Sequence, residues 1–137
     1  MNETDVVVQT VREDFSGVQA IYLFGSCGTV DEWPDSDMDI AILLPPEQSK
    51  NLSSQEIDDT RVKLSARLNK EVDLLNLRRV STVFQKEVVI ADRRIYTGEE
   101  YAAEEFEMLT LSLYQKLNEE RREILAEGLR SGSFYKL

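Results

Sequence analysis

The sequence predicts a small α/β (α+β) domain: a mixed sheet flanked by helices, with a helical C-terminal region. Three observations carry this expectation. Short apolar runs fit for strands fall at 18–24, 37–44 and 71–77, and apolar residues at helical spacing lie before, between and after them. The 137 residues are enough for one hydrophobic core and too few for a second independent one, so 1–137 is read as a single domain whose C-terminal part, 99–128, is helical.

Each element has its own signal. Val7, Val8, Val11 and Phe15 recur at helical spacing and predict a short helix over 4–15, although the VVV run also suits a strand; Gly17 ends it on either reading. Val18 to Phe24, VQAIYLF, is apolar, β-branched and aromatic and stops at Gly25-Ser26, the pattern of a buried strand entering a tight turn. Cys27 to Ser36, CGTVDEWPDS, carries breakers and acids and reads as a loop. Asp37 to Leu44, DMDIAILL, is a strand with Asp37 and Asp39 on one face and Ile40, Ile42 and Leu44 in the opposite phase; Pro45-Pro46 ends it.

Ser53 and Glu56 have capping-box spacing, and Ile57, Val62, Leu64 and Leu68 support a helix to about Lys70. Glu71 to Leu77, EVDLLNL, is a third strand in which Asp73 interrupts a series of buried candidates. Residues 80–91 suit a short helix, whereas Arg93 to Gly98, RRIYTG, is ambiguous. Ala102, Phe106, Leu109, Leu113 and Leu117 predict a long amphipathic helix from about Glu99 to Glu127, with its apolar stripe expected mainly to complete the domain's own core. Gly128 and Gly132 mark its end or fraying, and the FYKL tail is expected to be loose or to bind a partner. The short linker between the first two strands permits an antiparallel pair and argues against a Rossmann crossover.

Composition narrows the chemistry. Sixteen basic against 26 acidic residues give a formal net charge of -10, which disfavours direct binding to nucleic acid. With no histidine, imidazole-based triads, zinc sites and proton shuttles are excluded, leaving carboxylates, hydroxyls and backbone. The single cysteine, Cys27, cannot form an intrachain disulfide; with no histidine or basic cluster beside it, it reads as a small turn residue. No segment has the apolar length of a membrane span and MNETDVVVQT lacks signal-peptide character, so a cytoplasmic setting is expected.

The chemistry-bearing constellation starts at Gly25, where a turn without a Cβ lets backbone N–H groups and the Ser26 hydroxyl face an anion. Ten residues separate Ser26 from Asp37-Met38-Asp39, whose in-phase carboxylates suit hard divalent ions. Taken alone, a Gly-Ser turn and an Asp-x-Asp pair are as readily structural as functional. Asp73 sharpens the reading, because a carboxylate in an apolar strand is costly unless it joins other charged groups or a cation.

The order GSCGTVDEWPDSDMD followed by EVDLLNL resembles the minimal nucleotidyltransferase domains of the DNA polymerase beta-like superfamily over most of the chain. The resemblance implies the polymerase beta-like nucleotidyltransferase fold. It implies that Gly25, Ser26 and nearby backbone hold a nucleoside triphosphate, that Asp37 and Asp39 coordinate Mg2+, and that Asp73 completes the acidic metal cluster and activates or orients an acceptor hydroxyl. The implied reaction is transfer of AMP from ATP with release of pyrophosphate.

Small members of this kind resemble the antitoxins of HEPN/MNT toxin-antitoxin systems, which implies a hetero-oligomer with a HEPN-family ribonuclease toxin that accepts AMP on a tyrosine. A non-enzymatic antitoxin acting by binding alone, and an aminoglycoside-type nucleotidyltransferase, are the alternatives. Many members of the family it resembles carry an arginine in a GSRARG-like loop, but here GSCGTV follows and no basic residue stands between Ser26 and Asp37. Arg61, Lys63, Arg67 or Lys70 of the next helix are candidates to replace it, against the plainer reading of surface helix charge. Trp33 is read as bracing the loop or stacking on a base, Ser36 as orienting the turn into Asp37, and Asp31, Glu32 and Asp35 as solvated loop acids. Tyr96, Tyr101 and Tyr114 are expected to pack, with Tyr135 the most terminal candidate for self-modification.

Overall fold

The computed structural model describes residues 2–25 and 37–131. The N-terminal ambiguity resolves as helix α1 (Glu3–Asp14). Its start is fixed by a capping box in which the Asn2 side chain accepts from the Asp5 N–H at 2.8 Å and the Asp5 carboxylate accepts from the Asn2 N–H. Val7 and Val11, one turn apart, are fully buried, so helical spacing prevails over the β-branched preference of the VVV run.

The strands β1 (Ala20–Phe24), β2 (Met38–Leu43), β3 (Val72–Asn76) and β4 (Arg94–Thr97) form one mixed sheet in the order β3-β2-β1-β4. β1 pairs antiparallel with both β2 and β4, and β2 pairs parallel with β3. The ambiguous RRIYTG segment is thus an edge strand, too short and too partly buried to declare itself by alternation.

The β2-to-β3 crossover contains α2 (Pro46–Asn51) and α3 (Ser54–Leu68). Pro46 ends the strand as expected but also opens a six-residue helix that sequence patterning missed; proline fits a first helical turn because the N–H it lacks has no intrahelical partner there. Ser53 caps α3 by accepting from the Glu56 N–H at 3.1 Å, and Asn69 ends it in the left-handed region at φ 55°.

The sheet is covered on both faces. Ile21, Leu23, Ile40, Ile42 and Leu74 pack with α1 and α3, whereas Ala20, Tyr22, Ala41 and Leu43 pack with α4 (Thr82–Ile90) and α5 (Glu100–Ser131). Asp37 and Asp39 share their phase with Ala41 and Leu43, so the alternation of one strand places both acids on the α4/α5 face.

α5 is clamped to that face by polar contacts as well as by Ala103 and Phe106. The Tyr22 hydroxyl donates to Glu107 Oε2 at 2.7 Å, and Arg94 Nη1 donates to the same oxygen at 2.9 Å. Arg78 donates to the Leu44 carbonyl at 2.6 Å and to Gln19 Oε1 at 2.7 Å while its guanidinium lies 5.5 Å from the centre of the Phe106 ring. Burial and the neighbouring carboxylate drive the Tyr22 hydroxyl far above its ordinary pKa, so it stays a neutral donor. Tyr22→Phe is expected to cost about 1–3 kcal/mol, the usual loss for a buried hydrogen bond to a charged acceptor. A lower urea midpoint at unchanged m-value checks this; an unchanged midpoint would show that the clamp does not stabilise α5.

The α5 stripe departs from expectation. Ala103, Phe106 and Thr110 are buried, but Leu109, Leu113 and Leu117 are 52%, 52% and 40% exposed. The reason is length. A helix of 32 residues spans about 48 Å, far beyond the roughly 17 Å of a five-residue strand, so the stripe outlasts the body it packs on. The helix also runs through Gly128 to Ser131 instead of ending near 127 or 128; Gly132 and the FYKL tail lie outside the described residues. No helix among the described residues is long and apolar enough to cross a membrane.

Candidate active site

Register assembles the acidic cluster. Asp39 on β2 stands opposite Phe24 on antiparallel β1 and level with Asp73 on parallel β3, and Asp37 precedes it by two residues on the same face. Three segments distant in sequence thus deliver Gly25, Asp37, Asp39 and Asp73 to the edge of the sheet formed by strand ends, where β1 finishes and β2 and β3 begin. Phe24 adds an apolar flank, meeting Phe84 of α4 edge-on with ring centroids 5.4 Å apart.

Gly25 has φ +69°, and a Cβ there would overlap Asp39 Oδ2 and lie 3.3 Å from Asp39 Cγ. The turn and the carboxylate therefore touch. Asp39 is half-buried, and its pKa is raised by that burial and by the like charges of Asp73 and Asp37, while Arg93 pulls the other way. The parallel register that sets Asp39 level with Asp73 accounts for this mutual influence. Asp73, expected in a buried setting, is instead exposed together with Asp37; its place beside Asp39, rather than compensation for burial, is what the strand register provides.

Ser26, Cys27, Asp31, Glu32, Trp33, Asp35 and Ser36 lie outside the described residues. The suggested replacement cations on α3 and just after it are engaged elsewhere: Arg61 pairs with Asp58 at 3.5 Å, Lys63 with Asp14 at 2.6 Å, Arg67 with Glu13 at 3.2 Å and, beyond the helix end, Lys70 with Glu3 at 3.0 Å. Among the described residues the cation at the acids is Arg93, whose Nη1 donates to the Gly25 carbonyl at 3.2 Å. Sequence reading missed it because its only signal was an Arg-Arg pair leading into a segment that could not be assigned. Of the tyrosines, Tyr96 is partly covered by Arg12 and Tyr114 by Lys86, but Tyr101 is 74% exposed and does not pack as expected; Tyr135 is outside the described residues.

Among the described residues no three His, Cys, Asp or Glu side chains make a group able to hold a metal ion by themselves. The donor chemistry nevertheless fits magnesium, which commonly binds through one or two carboxylates with phosphate oxygens and water completing its shell. Asp37 and Asp39 supply hard oxygen donors, and a cation would relieve the repulsion that raises the Asp39 pKa.

This edge is matched by sequence as well. The family model for polymerase beta nucleotidyltransferases matches residues 7–101, from α1 through the start of α5. The chain belongs to that nucleotidyltransferase family. It is 34% identical over 125 residues, covering 91% of its own length and 86% of the relative, to the protein adenylyltransferase MntA of Shewanella oneidensis. Its fold matches a chain in a toxin-antitoxin crystal structure with AMP-PNP at TM-score 0.75 and 30% identity, over 94% of this chain and 99% of that one. A chain in the structure of a tri-AMPylated Shewanella oneidensis HEPN toxin with its MNT antitoxin matches at TM-score 0.71 and 30% identity, over 93% and 96% of the two chains.

Proposed function

We propose that this nucleotidyltransferase is an antitoxin that transfers AMP from ATP to a tyrosine hydroxyl of a partner HEPN ribonuclease toxin. The carrying observation is the convergence of Asp37, Asp39 and Asp73 beside the positive-φ Gly25 turn, in a chain resembling MntA along nearly its whole length. In this reading Gly25 and Ser26 receive the triphosphate. Asp37 and Asp39 hold Mg2+, with Asp73 completing the acidic site. The ion, when bound, offsets negative charge on the phosphates and on the attacking and leaving oxygens.

In the same reading Asp73 orients the acceptor hydroxyl and receives its proton. The acceptor oxygen forms a bond to the α-phosphorus, the bridging α–β P–O bond breaks, and pyrophosphate departs. Because the acids lie at an exposed edge, a macromolecular hydroxyl can approach. The exposed Leu109, Leu113 and Leu117 offer an apolar face for the toxin, and the net charge of -10 favours encounter with a basic RNA-cleaving partner in the cytoplasm.

The test incubates the purified chain with Mg2+, ATP and the toxin encoded beside it, followed by intact-mass measurement. A gain of one or more AMP units on the toxin, absent with Asp37→Ala/Asp39→Ala, is expected. Neutralisation of the toxin without any mass gain would overturn the transfer reading and leave an antitoxin that acts by binding alone.

A further inference from the structure

A triphosphate approaching three carboxylates needs positive charge, and residues 26–36 contain neither lysine nor arginine. Arg93 occupies the complementary position. After α4 the chain turns through Asp92 in the left-handed region, φ 55°, and the Leu23 N–H donates to the Arg93 carbonyl at 3.0 Å, tying this backbone to β1 beside the Gly25 turn.

The guanidinium is only half used. Nη1 donates to the Gly25 carbonyl at 3.2 Å, while Nη2 is buried and is the one such side-chain nitrogen or oxygen among the described residues with no hydrogen-bond partner. A withdrawn, unsatisfied donor among otherwise paired described residues calls for an explanation, and the capacity to bind an anion supplies one. The Gly25 turn that Arg93 holds lies directly against Asp39, so the free arm and the acids belong to one site.

We propose that Arg93 is a phosphate-binding residue of this site: one guanidinium arm is fixed on the Gly25 carbonyl and the other donates to a β- or γ-phosphate oxygen of the nucleoside triphosphate. Arg93 then holds the pyrophosphate end while the acids attend to the α-phosphate, replacing from the segment just before β4 the cation that GSCGTV lacks. The fork geometry of arginine suits the task, since one nitrogen can remain on the backbone as another grips an anion. The inference rests on the nucleotidyl-transfer reading and deepens it by assigning the triphosphate contact.

The test is equilibrium binding of AMP-PNP and of AMP, each with Mg2+, to the wild-type chain, Arg93→Ala and Arg93→Lys, with urea midpoints measured alongside. Arg93→Ala is expected to weaken AMP-PNP binding about 10- to 100-fold and AMP binding by less than about threefold, with Arg93→Lys recovering part of the loss. Equal weakening of both nucleotides would make Arg93 a support for the Gly25 turn and overturn the phosphate contact, as would unchanged AMP-PNP binding. Should Arg93→Ala fail to fold, the same AMP-PNP-to-AMP ratio is read from Arg93→Lys, and an unaltered ratio there overturns the proposal. A wild-type chain that bound neither nucleotide would remove the nucleotide reading itself, whereas wild-type binding undiminished in the variants removes the Arg93 assignment alone.

Discussion

Asp39→Asn is expected to lower single-turnover AMP transfer by about 10³-fold or more, equivalent to ~4 kcal/mol of transition-state stabilisation, without loss of folded protein. Asparagine keeps the shape of the side chain but removes the charge needed to hold a divalent cation against the phosphates. Stability is expected to move in the opposite direction. Burial and the charges of Asp73 and Asp37 raise the Asp39 pKa, so its ionised form is disfavoured in the native state. That penalty is present at neutral pH and fades as pH falls and the carboxyl takes up its proton. The variant should therefore match or exceed wild type in urea near pH 7, with the advantage shrinking toward acid pH. Transfer within tenfold of wild type would remove Asp39 from the chemistry, and a marked loss of stability would recast it as a structural carboxylate. Activity exchanged for stability is the pattern expected where function holds like charges together.

The acids were legible because period-two alternation is strong in β2: Asp37 and Asp39 fall in phase with buried Ala41 and Leu43, and the same rule places Asp73 on the corresponding face of β3. Strand pairing supplied what alternation could not, the level alignment of Asp39 with Asp73 and of Phe24 with Asp39. Arg93 stayed hidden because its position depends on β4, a four-residue edge strand with no buried residue to give it a face. Arg61, Lys63, Arg67 and Lys70 looked equally eligible, yet their partners on α1 and α3 could not be read from one-dimensional spacing. For α5 the periodicity was sound but silent on where the sheet stops, so the same stripe is core at Phe106 and surface at Leu113. α2 escaped because a double proline serves equally as a strand terminator and as a helix start.

Gly25→Ala is expected to reduce transfer by at least about 100-fold and to destabilise the fold by ~1–3 kcal/mol, through two separable causes. One is backbone strain: at φ +69° an L-residue sits in the left-handed region, at a cost of about 1–2 kcal/mol. The other is a collision with Asp39 Oδ2, which forces either the turn or the carboxylate out of place and so disturbs the acid site directly. A double-mutant cycle in urea separates them. Asp39→Ala removes the carboxylate that the new Cβ would strike but keeps Asp39 Cβ, which lies at an ordinary 3.7 Å, so in that background Gly25→Ala should retain only the backbone cost. A substantially smaller penalty in the Asp39→Ala background would establish that the turn and the carboxylate are packed as one unit. Identical penalties in the two backgrounds would deny that coupling, leaving φ alone to explain glycine at this position.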